Sequence, residues 1–153
     1  PTSAEVPTAL YYLGRTQMGM AIAPNAEEHF IAAIPYFDRI LRDFPGSVRL
    51  DDAQFQKAKS IYRLGGTHEA YGIARNDTKL TESIDEFKLI LSTYTGSSKT
   101  DQALLYLVRA YSEQADCGNA NFYLDQLKAD YPTSLLTSHA ENHSAYRENS
   151  CAP

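Results

Sequence analysis

The chain has two thiols, Cys117 and Cys151, set 34 residues apart. Cys117 lies in the turn before a helical segment that opens near Ala120, and Cys151 follows the last helical segment. Two antiparallel helices of similar length return the chain to its starting end, since ~12 residues rise ~18 Å and the next helix descends as far. The spacing therefore predicts a Cys117–Cys151 disulfide, which needs Cα atoms within roughly 7 Å. Closing that loop is worth roughly 3–4 kcal/mol on the chain-entropy account, and it implies an oxidising compartment. The alternative is two free thiols, one of them on a frayed tail.

Other reactive types are arranged less suggestively. His139 and His143 stand four apart, a spacing that puts both rings on one helix face for a metal. The intervening acid is Glu141, in the order His-x-Glu-x-His, so it points away from the pair, unlike a zincin base. Two solvated histidines, and no metal, are the expectation. His68-Glu69 beside Gly65-Gly66 reads as loop. Asn76-Asp-Thr78 and Asn142-His-Ser144 match the N-glycosylation triplet, a pattern that arises easily by chance. Acidic pairs such as Glu27-Glu28 and Asp51-Asp52 sit at helix starts, where the dipole accounts for them. There is no phosphate loop, nucleophile elbow or Ser/His/Asp set, so neither a catalytic site nor a cofactor is expected.

The elements that must position these residues are helices. Hydrophobic residues make up 43% and charged residues 22% of the 153, ordinary for a soluble domain. No apolar run approaches the ~20 residues of a membrane span. A net charge of -5 argues against nucleic-acid binding. The opening Pro-Thr-Ser-Ala-Glu-Val-Pro, without a secretory signal, reads as a cut fragment or processed product, which leaves a lipid anchor open.

In order, residues 1–6 read as a disordered lead-in and 7–150 as a single domain. A helix runs from Pro7 to about Ala23. A second runs to Phe44, opened by a capping box of Asn25 and Glu28. Pro35 either kinks this helix or delays its start to near Phe30. Ser47 is placed to cap a third helix with an apolar stripe of Ala53, Phe55, Ala58, Ile61 and Tyr62. Gly65-Gly66 weakens it, with a bent extension expected through Ala74. A helix from Thr78 buries Leu80, Ile84, Phe87, Ile90 and Leu91. Leu104, Leu107, Val108 and Tyr111 share one face of the next, and Ala120, Leu124 and Leu127 one face of its successor, which Pro132 ends. A polar end helix, 135–149, closes the chain.

Counted from Asp101, large and small residues fall at 4, 7, 8, 11, 20, 24, 27 and 32, a spacing that resembles the 34-residue tetratricopeptide repeat (TPR). Val108 and Leu127 depart from the small residues usual at their positions. An aromatic residue, Pro or Thr, then Ser two residues on recurs at Phe44–Ser47, Tyr94–Ser97 and Tyr131–Ser134. With the apolar helix face before it, this resembles bacterial envelope TPR proteins of the BamD and CpoB (YbgF) types. The resemblance implies an all-α, right-handed α-solenoid of about seven helices. Its units are about 7–47, 48–97 and 98–134, with some 13 extra residues around Gly65 to Thr78, and 135–149 as end helix. It also implies a non-enzymatic scaffold for protein or peptide partners, periplasmic or outer-membrane-associated, with a cytoplasmic adaptor or co-chaperone module as the alternative.

In such solenoids the first helix of each pair lines the concave face. Aligned on Ala9, Ala53, Ala103 and Ala140, these helices carry Tyr11, Phe55, Leu105 and Asn142 two residues on, and Arg15, Lys59, Arg109 and Tyr146 six on. Offsets of two and six share a helical face. Three units thus pair a large apolar group with a cation, and Tyr62 and Ser112 extend the row. A peptide groove is one expectation, apolar groups anchoring and cations meeting carboxylates. The other is that the apolar residues pack internally and the cations are merely solvated.

Overall fold

A computed structural model describes residues 5–149 and Cys151. Among these are eight α-helices, one 3-10 turn and no strand, so the all-α expectation holds. Two compact units are present, Pro1–Glu86 and Phe87–Pro153.

In the first unit, α1 (Glu5–Met20), α2 (Ala26–Asp43) and α3 (Leu50–Leu64) follow one another, with α2 packed on both α1 and α3. Because α1 opens at Glu5, the last two residues of the expected lead-in are helical; residues 1–4 lie outside the described residues. Phe30, Ala33, Phe37 and Ile40 recur at helical spacing on α2 and are at most 2% exposed. Burying each of the larger three is worth ~1.5–3 kcal/mol. Gly14 lets α1 approach this face, for a Cβ there would sit 2.6 Å from Phe37 Cζ. α2 opens at Ala26 and runs through Pro35, which is exposed, so the delayed start near Phe30 does not hold. The expected Asn25 cap is not made. At φ -96°, ψ 12° the Asn25 backbone is far from the extended form that aims a capping side chain into the first turn.

The recurring serine motif builds the same turn three times. The aromatic N–H closes the preceding helix, as at Phe44 N to Ile40 O, 3.1 Å, and Tyr94 N to Ile90 O, 3.2 Å. The aromatic carbonyl then accepts from the serine N–H at 2.9 Å (Ser47), 3.0 Å (Ser97) and 3.0 Å (Ser134). Each serine Oγ accepts the N–H two residues on, from Arg49, Lys99 and Leu136, at 3.1, 3.0 and 3.2 Å. Ser47 therefore shapes the turn and does not cap α3, whose preceding residue, Arg49, makes no capping bond. Six residues after each serine stands an alanine, Ala53, Ala103 or Ala140, with 0% exposure.

α3 ends at Leu64 rather than bending on to Ala74. At Gly66 φ is +74°, a left-handed backbone that turns the chain out of the helix. The extra residues form a loop clasped at its ends by Asn76 N to Gly65 O, 3.1 Å, with a 3-10 turn at Glu69–Tyr71. Tyr71 and Ile73 pack on Ala21, Ala26, Phe30 and Leu64, and the Tyr71 ring meets Phe30 edge-on at 5.1 Å. Asn76 Oδ1 then caps α4 (Asp77–Thr93) through Lys79 N, 3.1 Å. Lys57 on α3 reaches both Asp38 on α2 and Glu86, each at 2.9 Å, while Gln54 Nε2 donates to the Glu86 carbonyl at 3.0 Å. Burial alone would push the Lys57 ammonium down. The hydrogen bonds and charges of Glu86 and Asp38 outweigh it and hold the group above its ordinary value.

The second unit holds the rest of α4 from Phe87, then α5 (Thr100–Glu113), α6 (Cys117–Asp130), α7 (Leu136–Glu141) and α8 (Ser144–Glu148). Leu104, Leu107 and Val108 are fully buried, as are Ala120 and Leu127, with Leu124 at 2%. Phe87 stacks on Tyr106 at 5.1 Å, and Tyr111 on Tyr123 at 5.7 Å. Ala115 carries the turn between α5 and α6 at φ 57°. Asp116 then caps α6, accepting from Asn119 N at 3.1 Å, and its bonds from the Asn119 side chain and backbone hold its carboxyl below the usual range.

The expected single polar end helix is two short helices. His143, extended at ψ 133°, separates them. Nor is the segment merely solubilising, since Ala140, Ala145 and Tyr146 are 0, 8 and 1% exposed. The expected disulfide is present, its Cα atoms 4.8 Å apart.

Candidate functional site

Arg15 on α1 and Lys59 on α3, two cations aligned by the sequence, line one cleft of about 200 Å³ in the first unit. Its apolar lining comes from Met18 on α1 and Phe30 on α2. Gln56 and Arg63 add polar groups from α3, and Tyr71 comes from the clasped loop. Helical spacing explains the α3 set, because 56, 59 and 63 lie on one face. Arg15 Nη1 donates to Tyr11 Oη at 3.2 Å, which steers its guanidinium. The Arg63 guanidinium lies 5.8 Å from the Tyr62 ring centre and 5.4 Å from that of Tyr71. The cleft lining sets three cations beside apolar and aromatic surface, an arrangement that suits carboxylate groups.

The apolar members of the expected groove stand elsewhere. Tyr11, Phe55, Tyr62 and Leu105 are 6, 2, 1 and 5% exposed, so they are core, and a partner cannot reach their side chains. Ser112 is likewise buried and bonds back to Val108 O at 2.7 Å. In the second unit the Arg109 guanidinium lies 5.3 Å from the Tyr106 ring centre, with its Nε buried and lacking a hydrogen-bond partner. Asn142 bonds Ser138 O, and Tyr146 Oη donates to Asn121 Oδ1 at 2.6 Å.

Sequence reasoning missed Arg63 and Tyr71. Arg63 lies one helical turn beyond Lys59, a signal already present in the spacing. Tyr71 could not be placed without the fold of the loop.

The two histidines stand in different surroundings. His139 is exposed, whereas His143 Nε2 is 2.9 Å from Glu113 Oε1, in a contact where both side chains are only 13 and 12% exposed. Among the described residues no group of three or more His, Cys, Asp or Glu is disposed to hold a metal. Nor is any described helix long and apolar enough to cross a membrane. Around the disulfide, Asn149 Nδ2 donates to Ser112 O at 2.8 Å and Asn121 Nδ2 to Cys151 O at 3.1 Å, so the chain end is tied to both α5 and α6.

No curated protein matches the chain. Residues 102–134 match the tetratricopeptide repeat family. That span covers nearly all of α5, all of α6 and the turn through Ser134, so this hairpin is similar to a tetratricopeptide repeat.

Proposed function

We propose that the chain is a non-enzymatic protein-interaction module that captures an acidic peptide segment in the cleft of its first unit. The observation that carries this reading is the convergence of Arg15, Lys59 and Arg63 on one cavity flanked by Met18, Phe30 and Tyr71. Carboxylates of the partner meet the cations, and an adjacent apolar or aromatic side chain meets the hydrophobic lining. The cations contribute through charge, so binding weakens as salt rises. Arg109 is a separate candidate contact in the second unit, where its guanidinium lies over the Tyr106 ring.

The disulfide supports an oxidising compartment, and with the recurring turn motif it favours a periplasmic or outer-membrane-associated scaffold in envelope assembly. Two free thiols in protein recovered under non-reducing conditions would instead favour a cytoplasmic adaptor.

The test is fluorescence anisotropy with a short labelled peptide, rich in Asp and Glu and holding one Phe, against its Asn/Gln counterpart. The acidic peptide binds, and replacing Arg15, Lys59 and Arg63 together by Glu abolishes binding while helicity stays. Equal binding of the two peptides, or binding unchanged in the triple variant, overturns the reading.

A further inference from the structure

The sequence holds four sulfur atoms, in two cysteines and two methionines. Both cysteines are joined in the Cys117–Cys151 disulfide, so the thioethers of Met18 and Met20 are the sulfurs open to mild oxidation by peroxide.

The two thioethers stand in unlike places. Met20 closes α1 and is 50% exposed. Met18 is half-buried and lines the basic cleft with Arg15, Lys59 and Arg63. It also packs on both hydrophobic clusters of the first unit, one holding Leu10 and Phe37, the other Phe30 and Leu64. Arg15 lies three residues before Met18, one turn back on the same helix face, whereas positions two apart do not face each other. A change at Met18 is therefore felt in the cleft, and the same change at Met20 is not.

We propose that Met18 is a peroxide-oxidation site that closes the cleft to its partner. The inference rests on the acidic-peptide reading of that cleft. The thioether sulfur gives an electron pair to one oxygen of hydrogen peroxide. An S–O bond forms as the O–O bond breaks, and the other oxygen leaves as water. Sulfur is oxidised by two electrons and the peroxide is reduced. The product replaces an apolar wall with a sulfoxide oxygen, a far stronger acceptor than the thioether. That oxygen shares about 200 Å³ with two guanidiniums and an ammonium, whose donors turn to it. It takes donors that a partner carboxylate would use, and it removes apolar contact from the partner's aromatic ring.

The full chain is treated with hydrogen peroxide, the oxidised residues are located by mass spectrometry, and the labelled acidic peptide is titrated by anisotropy. Both methionines gain one oxygen, Met20 the faster. The Kd rises about tenfold or more, as loss of charge-assisted hydrogen bonds implies. Met20→Leu loses affinity on treatment as the native chain does, whereas Met18→Leu gives the same Kd before and after. Met18→Gln, with a polar acceptor in place of the thioether, reproduces the loss without oxidant. In the peptide-free chain, oxidation shifts the Arg15 and Arg63 Nε–H resonances while helicity stays. Met18 remaining reduced while Met20 oxidises, an unchanged Kd with Met18 oxidised, or an equal loss in Met18→Leu overturns the proposal. So does helicity falling in step with binding. An untreated chain that binds no peptide defeats the cleft reading instead; the Arg15 and Arg63 shifts then still test the sulfoxide contact, and their absence overturns it.

Discussion

Removing the disulfide should loosen one end of the second unit before anything else. Cys117 and Cys151 close a loop of 34 residues. On the chain-entropy relation, a loop of that length stabilises the folded chain by about 3.8 kcal/mol at 25 °C. The segment it holds has few other ties: two short helices, the His143–Glu113 contact and the bonds of Asn149 and Asn121. Cys117→Ser combined with Cys151→Ser should therefore lower the urea midpoint of the second unit by about 2 M, for a slope near 2 kcal/mol/M. Hydrogen exchange should rise first between 144 and 149, before α5 and the body of α6. The assay is urea denaturation with local exchange read by mass spectrometry, with and without a dithiol reductant. If the double variant unfolds like the native protein, or if exchange rises equally throughout the second unit, the latch account of the chain end is wrong.

Four further outcomes follow from local geometry. Gly14→Leu should cost ~1–3 kcal/mol by overpacking against Phe37, read as a lowered midpoint of the first unit. Ala115→Gly should raise stability by roughly 1 kcal/mol by relieving its left-handed backbone, read in the same denaturation assay. Tyr71→Ala should free the 66–75 loop, raising its proteolysis, and weaken acidic-peptide binding without unfolding α1 or α2. The Lys57 ammonium is held above its ordinary value by Glu86 and Asp38, so its contribution is complete at neutral pH and fades as pH rises through its folded value. Lys57→Met should remove that loss above about pH 10, leaving a flatter alkaline stability profile.

The parts of the fold legible in the sequence were those with a local cause. Ser47, Ser97 and Ser134 each bond their own turn, so a four-residue motif announced the hairpin breaks. The Leu104, Leu107, Val108 and Tyr111 stripe buried as its period implied. The disulfide was legible because the chain after α6 returns Cys151 to Cys117, although it does so by two short helices and not by one of matching length. Features with a tertiary cause were not. The loop from Gly66 read as weakened helix because its order comes from Tyr71 and Ile73 docking on residues around Phe30, over 30 positions earlier. His143 reads as solvated, and Tyr146 as a member of the groove row, because their partners, Glu113 and Asn121, lie on other helices. Arg15 and Lys59 were singled out by a cross-unit alignment, yet their apolar companions Tyr11 and Phe55 are core. A large apolar residue beside a cation fits a groove and an interior equally well, and only burial separates the two.

The most direct measurement is nuclear magnetic resonance of the full chain titrated with the acidic, Phe-containing peptide. The account predicts saturable shifts at Met18, Gly19, Gln56, Lys59, Arg63 and Tyr71, diminished by added salt. Shifts confined to the second unit, or none at peptide concentrations that saturate binding by anisotropy, would contradict it.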